Sequence, residues 1–386
     1  MANPREFFLR ALSGIETAYD KTNFFVQKKL GTLGPFAILP YYGYGNHETV
    51  FIMGRLLEDQ GLEKPGKDAS TWKNMVTMLH RYESDEIPGA RLRLTFQDQE
   101  QEIVTDHEGY FEAEFNTNGT LPPDQIWHEV QVELLDKIVE DQGEVKATGE
   151  VMVPDDSAQF GVISDVDDTI LVSRSTDLIQ KGKLTFLNNA KTRMPFEGVA
   201  SFYQALQGGS DGKRFNPIFY VSSSPWNLYD LLARFCEVND IPKGPLLLRD
   251  MGISKEKFIK SGHMDYKVEK VENIFKMYPD LPFILIGDSG QKDAEIYRRV
   301  VNDYPDKVLA VYIRDVSPNR KSKRDEEVQQ IAQTIKNHGV DMLLCQDTEE
   351  AAHHAIQKGF IPSSAMQKVT QGKQEDEARR AEEEER

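Results

Sequence analysis

Cysteine is scarce in this chain of 386 residues: Cys236 and Cys345 are the only two. Neither belongs to a C-x-x-C motif, which excludes a disulfide framework and a thiolate zinc site. The eight histidines, His80 and His263 among them, are scattered without zinc-ligand spacing and read as surface or core residues. Long hydrophobic runs are missing as well. No apolar stretch approaches the ~20 residues of a membrane-spanning helix, and Met1 to Leu12 lack the apolar centre of a signal peptide. Basic charge is in deficit, with 46 Lys and Arg against 63 Asp and Glu and a formal net charge of −17. That balance argues against nucleic acid as a partner, because phosphate neutralisation needs clustered cations. It argues equally against coating an anionic membrane. The expectation is a cytoplasmic protein, at most peripheral to a membrane.

What is present is a core. Hydrophobic residues make up 39% and charged residues 28%, a globular composition, and the length suggests two or three domains at roughly 150 residues each. Four regions can be read. Residues 1–82 form an N-terminal helical and β segment. Phe8, Leu12, Ile15 and Tyr19 fall on one helical stripe; packing on the neighbouring domain is the preferred reading, and transient membrane contact helped by Arg5, Arg10, Lys28 and Lys29 is the alternative. An aromatic, glycine-rich loop from Tyr41 to Gly45 precedes a strand at Val50–Gly54, and Trp72, Met75, Val76 and Leu79 mark a second helix. Residues 83–156 form a β-rich module. Ala90, Leu92, Leu94 and Phe96 alternate with Arg91, Arg93 and Thr95, and Phe111, Ala113 and Phe115 alternate with Glu112 and Glu114. Asp106–Gly109 reads as a hairpin turn, and the whole as a small sandwich used for targeting or interaction.

Residues 157–362 change character. Short apolar runs at Phe160–Ser164, Pro217–Val221, Pro245–Leu248, Phe283–Ile286, Val308–Ile313 and Met342–Leu344 are separated by helical patterns such as Trp226–Phe235, Val268–Met277 and Asp293–Val301. Strands buried on both faces and joined by helices imply a parallel α/β sheet. Residues 363–386 form a charged tail, predicted to be a solvated helix or disordered.

In parallel α/β sheets ligands bind outside the carboxyl ends of the strands. Three strands here end in polar residues: Asp165-Val166-Asp167-Asp168-Thr169, Ser222-Ser223-Ser224-Pro225, and Gly287-Asp288-Ser289-Gly290-Gln291-Lys292-Asp293. Helix capping accounts for some of them, and Ser224 before Pro225 reads as a cap with proline at the first helical position. It does not account for three carboxylates within four residues, which repel one another unless a cation compensates. Magnesium, which favours one or two carboxylates with water and phosphate oxygens, is the natural partner for Asp165, Asp167 and Asp288. Period-two geometry turns Asp168 away, toward a structural role.

Four motifs in order carry a resemblance: D-x-D-x-T at Asp165–Thr169, a hydroxyl after a strand at Ser222, a lysine opening a helix at Lys267, and G-D-x-x-x-x-D at Gly287, Asp288 and Asp293. Residues 160–315 resemble the haloacid-dehalogenase superfamily of phosphatases. The segments Tyr220–Trp226, Gly244–Asp250 and Tyr312–Asp315 narrow the likeness to the actin-patch-associated phosphatidate phosphatase family, in its bacterial form. The fold so implied is a haloacid-dehalogenase-like parallel sheet with flanking helices, preceded by the small sandwich-like module.

The resemblance implies a hydrolase that cleaves a phosphomonoester, phosphatidate in this family, with Mg²⁺. Asp165 would be the nucleophile, forming an aspartyl phosphate. Asp167 would protonate the leaving group and then activate water. Ser222, with Ser223 as runner-up, would bind the phosphoryl group, and Lys267, with Lys270 as runner-up, would neutralise charge. Asp165, Asp167, Asp288 and Asp293 would form the metal site, Asp293 acting through water or by orienting Lys267. No large cap insertion is evident between the first two motifs, where residues 170–216 could hold a small lid. Two alternatives stand beside this: a phosphatase or phosphomutase for a soluble sugar or nucleotide phosphate, and a non-catalytic scaffold.

Overall fold

The structure is a computed structural model that describes residues 34–58, 86–119, 121–122, 124–166, 169, 196–249, 263–316 and 322–384. The Phe8 to Tyr19 stripe, the helix marked by Trp72, His80, Asp167, Asp168 and residues 170–195 lie outside these. The chain divides into two compact units, one holding the described residues up to Leu121 with Trp127–Val151, the other residues 122–126 and Met152 onward. None of the described helices is long and apolar enough to cross a membrane.

The first unit is one eight-stranded sheet. Its strands are β1 (Phe36–Pro40), β2 (Gly43–Gly45), β3 (Thr49–Glu58), β4 (Arg91–Phe96), β5 (Gln99–Val104), β6 (Tyr110–Asn116), β7 (Trp127–Leu134) and β8 (Lys146–Met152). They run in the order β1-β3-β2-β8-β7-β4-β5, with β6 also on β3. The predicted alternation holds in β4, where Leu92, Leu94 and Phe96 are buried. The division expected at 82/83 does not follow the sheet, which joins strands from both sides of it. Nor is the unit simply a sandwich beginning at residue 83, because β3 is a ten-residue strand that pairs with β1, β2 and β6. It pairs with β6 from Thr49↔Asn116 to Arg55↔Tyr110 and with β1 from Gly54↔Pro40 to Glu58↔Phe36.

A turn forms at Asp106–Gly109, where a hairpin turn was predicted. Gly109 at φ 78° donates to the Asp106 carbonyl (3.2 Å), and an added Cβ would lie 2.5 Å from the Leu56 carbonyl oxygen. It is a corner and not a hairpin, since the next strand pairs with β3. Strand β5 reaches β6 through side chains: the Gln101 amide donates to the Glu114 carbonyl (2.6 Å), and that of Gln99 to Asn116.

The second unit is a six-stranded sheet of β9 (Gly161–Ser164), β10 (Ile218–Pro225), β11 (Leu246–Arg249), β12 (Phe283–Asp288), β13 (Val308–Arg314) and β14 (Asp341–Cys345). The pairings are all parallel. Among the described residues its helices are α1 (Val199–Gly208), α2 (Tyr229–Val238), α3 (His263–Met277), α4 (Asp293–Asp303), α5 (Lys323–Ile335), α6 (Thr348–Gln357) and α7 (Ala365–Glu384). The strand order is β11-β10-β9-β12-β13-β14. The chain therefore winds outward from β9 on one side and from β12 on the other, and the crevice between these two strands is the switch point where such sheets bind ligands.

Two local expectations change. Ser224 lies inside β10 and does not cap a helix; a short 3₁₀ turn, Trp226–Leu228, begins after Pro225 and delays α2. The charged tail is neither wholly solvated nor disordered over its helical length. Helix α7 buries Ala365 and Val369, Lys373 Nζ pairs with Asp347 (2.6 Å) and Glu349 (2.9 Å), and Asp376 accepts the Gly198 amide (2.9 Å).

Candidate active site

The switch point is where the sequence puts its acids. Asp165 follows β9 directly, and its amide donates to the Ile286 carbonyl (2.9 Å), so the ladder to β12 continues one residue past the strand. The Tyr203 hydroxyl lies 2.7 Å from Ser164 Oγ, and that oxygen donates to the Asp165 carbonyl (2.6 Å). This fixes the backbone that carries the carboxylate.

Lys267, on α3, crosses to the cluster. Its ammonium donates to Asp165 Oδ1 and to Asp293 Oδ1, both at 2.7 Å. Asp293 opens α4, and its other oxygen accepts the Asp288 amide (3.1 Å). Asp288 Oδ1 in turn accepts the Gln291 amide (2.7 Å). Asp165, Lys267, Asp288 and Asp293 are all at most 3% exposed. Burial alone would lower the Lys267 pKa; Asp165 and Asp293 more than offset this and hold it above its ordinary value. A raised lysine contributes stability that is fully present at neutral pH and is lost only as pH rises through that raised value. Lys270 points elsewhere, with its ammonium 5.3 Å from the Tyr266 ring centroid.

Ser222 stands on the adjacent strand. Tyr220 pairs with Ser164, so Ser222 sits one residue further along than Asp165 at the same carboxyl edge. It is fully buried, and its Oγ accepts the Ser224 amide (2.9 Å). Ser223 is buried beside it.

Asp165, Asp288 and Asp293 each offer a carboxylate oxygen within 4.8 Å of the others. Three carboxylates and one ammonium leave a formal charge of −2, and a divalent cation with oxygen ligands fits that donor set and that charge.

Two further residues support the cluster. Gly287 allows the approach of Asp293: an added Cβ would lie 2.6 Å from Asp293 Cβ and Oδ2. Arg324, at the start of α5, staples the loop after Asp288. Its guanidinium donates to the carbonyls of Ser289 (2.8 Å) and Gln291 (2.6 Å) and to both oxygens of Glu295 (2.5 and 2.7 Å). Gly287 was marked by its motif but not by this contact, and an arginine in the charged run Arg320–Glu327 gives no signal of its contacts in the sequence.

Both the pair and the glycine give testable outcomes. Lys267→Met strands buried carboxylates without their cation and should cost about 3–5 kcal/mol, read as a lower urea midpoint; an unchanged midpoint contradicts the buried pairing. Gly287→Ala forces methyl against carboxylate and should cost about 1–3 kcal/mol by the same measurement, whereas Gly143→Ala, with open space around it, should be neutral.

The cluster falls within a segment that matches a phosphatase catalytic domain. Residues 160–315 match the family model described as Phosphatidate phosphatase APP1, catalytic domain. The chain is 33% identical over 172 residues to Phosphatidate phosphatase APP1 of Saccharomyces cerevisiae, covering 44% of this chain and 28% of that protein. It is 25% identical over 252 residues to an uncharacterized protein of Schizosaccharomyces pombe, covering 62% of this chain and 40% of the relative. The chain thus spans well under two thirds of the length of either. A likeness to a carbohydrate acetylesterase from Xanthomonas citri, with a TM-score of 0.23 at 11% identity over 76% of this chain and 72% of that one, carries no structural argument.

Proposed function

We infer that the second unit is a phosphomonoesterase of the haloacid-dehalogenase type that acts on phosphatidate or a similar lipid phosphate. The observation that carries this reading is the buried Lys267 bridge between Asp165 and Asp293, next to Asp288, at the switch point of a parallel sheet within the matched segment.

The chemistry assigns roles residue by residue. Asp165 attacks phosphorus, a P–O bond forms to its carboxylate, and the bond to the leaving alkoxide breaks. Asp167, which lies outside the described residues, gives that alkoxide its proton and then removes one from water. Water attacks phosphorus, inorganic phosphate leaves, and the Asp165 carboxylate returns. Lys267 offsets the charge on nucleophile and phosphoryl group throughout. Asp293, bonded to both Lys267 and the Asp288 amide, sets the direction of that ammonium. Ser222 donates to a phosphoryl oxygen. Mg²⁺ held by Asp165, Asp167 and Asp288, with Asp293 behind them, would neutralise phosphate charge and fix its orientation.

A substrate panel tests the reading. With Mg²⁺ present, the protein should hydrolyse p-nitrophenyl phosphate and, in mixed micelles, phosphatidate. If phosphatidate is untouched while a sugar or nucleotide phosphate is cleaved well, the lipid assignment falls and the soluble-substrate alternative replaces it. If no phosphomonoester turns over, the scaffold reading stands.

A further inference from the structure

Beside the carboxylates lies a second feature that the proposed chemistry does not use. A cavity of about 40 Å³ sits at the same carboxyl edge, against the ends of β12, β13 and β14 and against α1 and α6. At ~10–15 Å³ for each water it has room for about three, the size of a small polar group and not of an acyl chain. Val199, Phe202 and Ile286 give it apolar walls.

Most of its polar side chains are engaged. Tyr203 bonds Ser164 (2.7 Å), Tyr312 bonds His354 (2.9 Å), Thr348 donates to the Glu197 carbonyl (2.8 Å), and Asp347 pairs with Lys373 (2.6 Å). Two buried donors are left over. Thr169 Oγ1 and Arg314 Nε have no hydrogen-bond partner among the described residues, and both residues line the cavity. Thr169 is 2% exposed. The Arg314 side chain is held in place by Glu197 (3.5 Å) and by the Phe196 ring, 3.0 Å from the guanidinium carbon. Buried donors without partners are costly, and a site that binds an acceptor recovers this on binding.

Both donors are tied to the reacting centre. Thr169 is four residues beyond Asp165, and Arg314 pairs in register with Asp288 and accepts the Ser289 amide at its carbonyl (2.8 Å). We propose that Thr169 and Arg314 form a specificity subsite that hydrogen-bonds an acceptor oxygen on the leaving group of the phosphomonoester. The subsite rests on the phosphatase reading above.

The test compares phenyl phosphate, which carries no acceptor beyond its ester oxygen, with glycerol 3-phosphate and dioctanoyl phosphatidate. Arg314→Lys keeps the charge facing Glu197 and loses the Nε–H. It should lower kcat/KM for an oxygen-bearing substrate relative to phenyl phosphate by about ten- to a hundredfold, the loss expected for a hydrogen bond involving a charged group, mainly through KM. Thr169→Val, of nearly equal shape, should shift the same ratio in the same direction, and it stands in if the arginine variant fails to fold. A shift for glycerol 3-phosphate as well as phosphatidate assigns a glycerol oxygen; a shift for phosphatidate alone assigns the ester carbonyl. A ratio unchanged within about twofold in both variants overturns the subsite and leaves the phosphatase reading intact. Absence of turnover on all three substrates by the unsubstituted protein overturns both.

Discussion

Asp165→Asn should lower turnover by several decades, on the order of 10⁴- to 10⁶-fold, the range seen when a covalent nucleophile is removed. The substitution keeps the shape of the side chain, and Lys267 keeps its second partner, Asp293, at 2.7 Å. The cluster also loses one of its three buried negative charges, which relieves repulsion. The variant should therefore fold with a urea midpoint close to that of the unsubstituted protein while p-nitrophenyl phosphate hydrolysis falls to near background. Separating these two readouts matters, because Asp165 is both the proposed nucleophile and half of a buried ion pair. Normal folding with near-normal turnover would remove Asp165 from the chemistry.

Chelation should be nearly as severe. With EDTA, activity should fall to background, and Mg²⁺ should restore it. Ca²⁺ should not, because it binds oxygen at about 2.3–2.6 Å with a loose shell where Mg²⁺ demands about 2.0–2.1 Å in an octahedron. The physical ground is the charge at the switch point: Asp165, Asp288 and Asp293 offer oxygens within 4.8 Å of one another, with one ammonium between Asp165 and Asp293. A second readout does not depend on turnover. Mg²⁺ at a hundred times its dissociation constant should stabilise the folded state by about 2.7 kcal/mol, seen as a rise in thermal midpoint that Asp288→Asn diminishes. Full activity in chelator, with no thermal shift on adding Mg²⁺, would contradict the assigned metal site.

The parallel sheet was legible because its strands are buried on both faces and so appear as unbroken apolar runs; Phe283–Ile286 lies within β12 and Val308–Ile313 within β13. The placement of Asp165 and Asp288 followed from those runs, since strand ends in such a sheet share one edge. Lys267 could not be placed from periodicity, because its reach across to Asp165 depends on how α3 packs; only the motif resemblance singled it out. Gly287 stood in the G-D-x-x-x-x-D motif, but its packing against Asp293 was not legible there, and Arg324 acts through contacts distant in sequence that left no local pattern. In the first unit, β3 was read short, ending at Gly54, because Arg55 interrupts its apolar run. Arg55 is nonetheless buried, pairing with Glu86 (2.9 Å) and lying 4.6 Å from the Tyr110 ring centroid. The tail misled through its composition: the charges of α7 dominate, yet Ala365 and Val369 suffice to dock its first turns.

The central claim is that phosphate passes through the Asp165 carboxylate, and chemical trapping addresses it most directly. The protein would be mixed with p-nitrophenyl phosphate and Mg²⁺, quenched, reduced with borohydride and digested. An acyl phosphate is reduced to an alcohol, so the peptide containing residue 165 should carry homoserine in place of aspartate, only when substrate was present and not in Asp165→Asn. Homoserine at another aspartate, or none while the protein turns over rapidly and a known aspartyl-phosphate enzyme traps under the same conditions, would contradict the account.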